Sequence, residues 1–282
     1  MSKIVSEDAL RRALARLSAD ESRDWLQPQL LASVQAALST SWILDIDTTI
    51  KTLFGKQSGA EVSYNPHKPG RPSHALHTYF VSHLRMVLDV VVSPGKEHTA
   101  AHARPGLSAV LDTLSPAQLP ALVRGDCGFG NEPFIDELEK RGQPYLFKLR
   151  QTSGVKKLLR RQFVRKDWTT PGPSDQGWSA VEDTLKLAGW DKSRRVVISR
   201  RAVKSDAAIT RNSAEGQMEL LLPGKDAELW EYAVLVTNSS YFLESIHPTD
   251  EDLSVGAAAM AQLYRDRADA ENGFDELKNQ WG

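Results

Sequence analysis

The chain has 282 residues, 41% of them hydrophobic, a formal net charge of −1 and one cysteine. That length supports a sizeable core, the near-neutral charge excludes a uniformly basic nucleic-acid coat, and a lone Cys127 excludes an internal disulfide or a thiolate zinc site. No apolar run reaches the roughly 18–20 residues of a membrane helix, and no signal-peptide apolar region opens the chain, so a cytoplasmic protein with no membrane partner is expected.

Residues Ile4 to Leu17 read as a short amphipathic helix with Arg11, Arg12 and Arg16 on its polar side, and Trp25 to Leu38 as a second. Together they form an N-terminal helical segment, 1–40, either the base of a DNA-binding module or a simple helical cap. Ser41 to Thr49 follows as a strand in which Asp45 and Asp47 share one face and Trp42, Leu44 and Ile46 the other. A carboxylate in a central strand is costly to bury without compensation. A divalent cation supplies that compensation, and so does an ion pair; both readings stay open here.

The loop Asn65-Pro66-His67-Lys68-Pro69-Gly70-Arg71-Pro72 offers Lys68 and Arg71 as phosphate contacts. His67, His74 and His77 match no metal-ligand spacing. Ala75 to Val81 and Met86 to Val92 have the length of a hairpin that extends the first strand into an antiparallel meander. Arg104 to Leu114 reads as a helix and Pro120 to Asp126 as a fourth strand with its acid at the C-terminal end. The glycine-rich turn Cys127 to Glu132, the helix Pro133 to Lys140 and a fifth strand, Gln143 to Leu149, come next. In open α/β sheets ligands gather at the C-terminal ends of strands, which makes Asp126 a site candidate; a helix-capping role is the competing reading.

Two basic clusters follow, Arg150 to Lys166 and Lys192 to Lys204, each either a solvated surface or a local nucleic-acid contact. From about residue 163 the tryptophans Trp168, Trp178, Trp190 and Trp230 fall among glycines, prolines and short apolar runs, the pattern of an all-β insertion. Glu231 to Asn238 is a further strand. An acidic loop then leads to a final helix, Leu263 to Lys278, with Met260, Leu263, Ala270, Phe274, Leu277 and Trp281 on its apolar stripe. Tyr264, Arg267, Glu271 and Lys278 lie three, four and seven residues apart, so a continuous helix projects them from one side. One carboxylate flanked by two cations and a phenol suits a metal-bound phosphate, although charged residues at such spacing also make solvated faces.

The element order is that of an α/β, RNase H-like mixed sheet flanked by helices, with an all-β insertion before the last catalytic helix. The expected partition is 41–162 for the first part of the core, 163–230 for the insertion, and 231–282 for the last strand and catalytic helix. In this order Asp47, Asp126 and Glu271 come from three elements that converge at one edge. Three like charges placed together call for divalent cations, and all-oxygen ligation favours two ions of Mg²⁺ or Mn²⁺.

Three ordered blocks carry a resemblance: Asp47-Thr48-Thr49, Arg124-Gly125-Asp126-Cys127-Gly128-Phe129, and the Tyr-x2-Arg-x3-Glu-x6-Lys spacing of Tyr264, Arg267, Glu271 and Lys278. With the Lys68 to Pro72 loop and the closing Glu276 to Gly282, they make the chain resemble, from about residue 40 onward, the DDE transposases of bacterial insertion sequences. The resemblance implies cut-and-paste transposition on double-stranded DNA, both the terminal inverted repeats and the target, by a homodimer. It implies Asp47, Asp126 and Glu271 as catalytic metal ligands, with Asp45 the runner-up to Asp47, and Tyr264, Arg267 and Lys278 on DNA phosphates. Relatives that form hairpin ends seat a flipped base on a tryptophan of the insertion; no tryptophan is assigned that role here. Family members extend further at both ends, so a C-terminally truncated product is expected, with a catalytically idle DNA-binding remnant and a structure-specific nuclease as the alternatives.

Overall fold

The computed structural model describes residues 5–63, 65, 68–203, 222–223, 229–239 and 253–268. Two helices open the chain, α1 (Glu7–Leu14) and α2 (Ala19–Val34), the second begun by a capping box between Ser18 and Glu21. The strands are β1 (Ile43–Thr52), β2 (Glu61–Val62), β3 (Pro72–Val81), β4 (Met86–Pro94), β5 (Leu122–Gly125) and β6 (Tyr145–Lys148). After them come β7 (Ser179–Leu185), β8 (Arg194–Val203), β9 (Leu222–Pro223) and β10 (Leu229–Thr237). Four further helices are α3 (Ala100–Thr113), α4 (Glu132–Lys140), α5 (Ser153–Arg161) and α6 (Leu253–Arg265).

All ten strands join one sheet in the order β2-β3-β1-β5-β6-β10-β8-β7, with β4 also on β3 and β9 on β10. β1, β3 and β4 form an antiparallel meander, β5 lies parallel to β1, and β6 parallel to β5. This is the RNase H-like topology. The strands of the tryptophan-rich region continue it, because β10 pairs antiparallel with β6 and carries β8 and β7 beyond it.

Both faces of the sheet are buried, and strand alternation decides which residue meets which core. Leu44, Ile46, Val123, Phe147, Ile198 and Val234 point to a large core roofed by Leu107 and Val110 of α3, Ile135 and Leu138 of α4, and Leu158 and Leu159 of α5. Leu122, Leu146, Val197 and Leu235 point the other way and meet Ala257, Met260 and Ala261 of α6. Small residues along α6 let it lie close over β7 and β8. Asp45, Asp47 and Asp126 belong to this second face. Arg194 at the start of β8 is buried and donates to Glu132 and Glu139 of α4 at 2.5–3.1 Å, which ties the added strands to the core.

Two expectations are corrected. The last helix was expected to run unbroken from Leu263 to Lys278; the helix that carries Leu263 starts ten residues earlier, at Leu253, and is interrupted after Arg265 by a turn at residues 266–267, closed by the Arg267 N–H on the Tyr264 carbonyl (3.1 Å), with Ala268 helical again and the expected stretch from Asp269 to Lys278 outside the described residues. The segment 153–161, read only as part of a basic cluster, is a helix whose Val155, Leu158 and Leu159 anchor it in the core.

Candidate active site

Parallel pairing of β1 and β5 matches Asp45 with Arg124 and Ile46 with Gly125, so one step further Asp47, midway along β1, stands beside Asp126, just past the C-terminal end of β5. Adjacent strands lie about 4.8 Å apart, which puts the two carboxylates within reach of a shared partner. Gly125 makes this approach feasible: a Cβ there would come within 2.9 Å of Ile46 Cγ1 and Phe129 Cδ2. Asp126 does not cap α4, because Asn131 does so by accepting from the Phe134 N–H. Its Oδ1 instead accepts from the Gly128 N–H at 2.8 Å, which orients the carboxylate and leaves it at the mouth of the cleft described below.

The two acids of β1 play different parts. Asp45 is sealed from solvent and both of its oxygens accept from Arg124, at 2.6 and 2.7 Å. Arg124 also donates to Ser82 Oγ at 3.0 Å and to the Leu263 carbonyl in the last turn of α6. Asp45 is therefore half of a structural ion pair, and its place as runner-up metal ligand is withdrawn: a cation would have to displace a buried guanidinium. Asp47 is partly open, and Arg267 Nη2 lies 3.3 Å from its Oδ1 and 3.4 Å from the Ile46 carbonyl. Arg267 itself is buried, so this ion pair is held in low dielectric.

A cleft of ≈300 Å³ opens beside these groups, lined among others by Asp126, Lys148, Trp178, Tyr264, Arg265 and Arg267. Tyr264 and Arg267 thus share the cleft despite the turn between them. Three of these residues were missed by sequence reasoning. Lys148 ends β6, where the Gly125–Phe147 match makes it the neighbour of Asp126, just as Asp126 is the neighbour of Asp47. The same end-of-strand rule that singled out Asp126 would have found it. The guanidinium carbons of Arg201 and Arg265 lie 4.9 and 5.7 Å from the ring centroid of Trp178. Burial holds the pKa of Arg265 below the ordinary arginine value. Nothing in the spacing of the sequence points to Trp178 over the other tryptophans.

Lys68 and Arg71 are not among the residues lining this cleft; they sit at the far end of the β1–β3 hairpin. Glu271 and Lys278 lie outside the described residues. Among the described residues no group of three or more His, Cys, Asp and Glu comes together to hold a metal. The paired carboxylates nevertheless suit a hard divalent cation: Asp47 and Asp126 offer only oxygen, and Asp47, unlike Asp45, is partly open and held by Arg267 at one oxygen instead of two, so a metal ion has to compete with Arg267 for Oδ1 alone.

The family model described as Transposase DDE domain matches residues 38–282. The chain belongs to the transposase DDE domain family. A search of curated proteins finds no match. Among solved structures, the DDE chain is similar to a cryo-EM structure of piggyBac transposase in a synaptic complex with hairpin DNA, at 12% identity and a TM-score of 0.44. That match covers 96% of this chain and 47% of the other, so the chain spans about half the length of that relative. No helix among the described residues is long and apolar enough to cross a membrane.

Proposed function

We propose that this chain carries the catalytic centre of a cut-and-paste transposase of an insertion sequence, cleaving DNA at the element's terminal inverted repeats and joining the freed end to target DNA. The observation that carries the reading is the side-by-side placement of Asp47 and Asp126 on one face of the sheet, with Arg267 3.3 Å from Asp47 and a cleft beside them. Asp47 and Asp126, completed by Glu271, would hold Mg²⁺ or Mn²⁺. When bound, such ions activate an attacking oxygen and stabilise a leaving one in phosphoryl transfer.

The chain's own groups do the rest. Lys148, Tyr264 and Arg267 line the cleft with Asp126 and can bind phosphate oxygens there. Lys278 joins them on the family signature. Trp178 lines the cleft beside Arg201 and Arg265, and an unpaired base would stack on its ring by displacing one of those guanidiniums. The homodimer of the family places one such centre on each transposon end.

The test is strand nicking by the purified chain on duplexes made from the DNA that flanks its gene, with Mg²⁺, with Mn²⁺ and with chelator. Metal-dependent nicking that disappears in Asp47→Asn, Asp126→Asn and Glu271→Gln is expected. Nicking that survives any of the three, or that ignores chelator, sinks the assignment; binding without any nicking supports an idle DNA-binding remnant.

A further inference from the structure

We propose that the far end of the β1–β3 hairpin, built on Phe54, Lys68 and Arg71, is a docking surface for the phosphate backbone of duplex DNA leaving the cleft. The proposal rests on the cleft being the DNA-processing site, and adds a second surface with its own organising residue.

The hairpin outruns the site. From Asp47, β1 continues to Thr52, roughly 16 Å at ~3.3 Å per residue. Pairing is kept to the end: Thr52 matches Ser73, and the Leu53 N–H donates to the Pro72 carbonyl at 2.9 Å. Phe54 and Arg71 therefore emerge opposite one another. Lys68-Pro69-Gly70-Arg71 is a tight turn, closed by the Arg71 N–H on the Lys68 carbonyl at 3.2 Å, with Gly70 at φ +80°. Proline second and a left-handed glycine third are what a type II turn requires, and it brings the first and fourth residues, Lys68 and Arg71, close together.

Both cations then meet one ring. Lys68 Nζ lies 4.7 Å and the Arg71 guanidinium carbon 5.5 Å from the centroid of Phe54. The ring is 67% exposed, an unusual state for a phenylalanine unless its faces are in use. Here they hold two like charges near each other against their mutual repulsion. The turn is also tied back to the strand: buried Asn65 accepts from the Lys68 N–H at 3.0 Å and donates to Thr52 Oγ1 at 2.8 Å. The cations are thus positioned before any ligand arrives.

Charge names the ligand. Residues 51–71 carry Lys51, Lys56, Lys68 and Arg71 against one acid, Glu61, which Lys96 already approaches at 3.7 Å. In a chain of net charge −1 this is a local positive surplus. It lies at the hairpin tip, roughly 16 Å along the strand from Asp47, which is about one half-turn of duplex, since phosphates on one strand recur every ~3.4 Å of helix axis. A second copy of the chain would bring the same surplus.

The test is fluorescence anisotropy of the full chain on a duplex of about 30 base pairs, in chelator and over a range of salt. Phe54→Ala is expected to weaken binding about 5-fold and Phe54→Trp to keep it, because tryptophan holds cations at least as well. Lys68→Ala and Arg71→Ala should each lower the salt-dependence slope by about one. Cutting the duplex to about 8 base pairs should abolish the difference between wild type and Phe54→Ala. Unchanged affinity and slope in all three alanine variants overturns the proposal, and so does an effect seen only in self-association by sedimentation. Because no metal is present, failure of the cleavage reading shows in nicking and leaves this binding result standing.

Discussion

Arg124 grips both oxygens of Asp45 from the neighbouring strand, at 2.6 and 2.7 Å, with each side chain no more than 1% exposed. A buried pair of this kind adds little over a well-packed apolar pair, but losing one member strands the other's charge. Asp45→Ala should therefore cost about 3–5 kcal/mol in urea unfolding, while Asp45→Ala combined with Arg124→Met recovers much of it. Asp47→Asn should cost less, about 1–3 kcal/mol, because buried Arg267 loses a charged partner while the asparagine oxygen still accepts from it and the site is partly open to water. Equal losses in the two variants would contradict the division of labour between the two aspartates.

Gly125 is fixed by space. With Ile46 and Phe129 side-chain atoms 2.9 Å from where a Cβ would stand, Gly125→Ala must displace those two side chains. The expected cost is about 1–3 kcal/mol, the usual range for overpacking. Ile46 adjoins Asp47 and the Phe129 N–H donates to the Asp126 carbonyl, so the displacement should disturb both carboxylates and nicking should fall further than thermal stability alone accounts for. A variant as stable and as active as wild type would refute the close-approach argument.

Metal addition should report on the carboxylate pair without any DNA. A ligand that binds only the folded state at one hundred times its dissociation constant raises stability by about 2.7 kcal/mol. Mn²⁺ should thus raise the melting temperature of wild type and fail to do so in Asp126→Asn or Glu271→Gln. Full metal protection in Glu271→Gln would mean that this residue does not complete the site.

His77 is fully buried on β3, where Nε2–H donates to the Glu97 carbonyl at 2.8 Å and Nδ1 accepts from Thr48 Oγ1 at 2.9 Å. Burial holds its pKa below the ordinary 6.5. The unfolded chain therefore takes up a proton near pH 6.5 that the folded chain refuses, and stability falls as pH drops from 6.5 through the lowered value. Unfolding in urea at about pH 7.5, 6.5 and 5.5 should show this loss, with a shallower slope in His77→Gln. An identical slope in the variant would assign the loss to other groups.

Much of the frame was legible because alternation and end-of-strand position are sequence properties. The β1 acids, the hairpin β3–β4 and the strand–turn–helix around Asp126 were all found near where they lie. Asp45 and Asp47 could not be told apart in that way: they share a face, and only the register that sets Arg124 against Asp45 distinguishes them. α5 was hidden by its own charge, since Lys156, Lys157, Arg160 and Arg161 drew attention from the apolar trio Val155, Leu158 and Leu159. The start of α6 was hidden by composition, because its run of glycine and alanine has small side chains and a weak apolar signal. Trp178 entered the cleft through sheet extension by β7 and β8, a long-range pairing that no local pattern encodes.

The seat of β10 between β6 and β8 also sets an order of events during synthesis. Thr237 Oγ1 donates to the carbonyl of Tyr145, a residue 92 positions earlier in the chain. Until β10 has left the ribosome, β6 stands as an unpaired edge of apolar backbone. The nascent chain then already carries both aspartates, yet it lacks the neighbour that closes the sheet beside them. Stalling or truncation before residue 229 should accordingly yield aggregation instead of a smaller working enzyme.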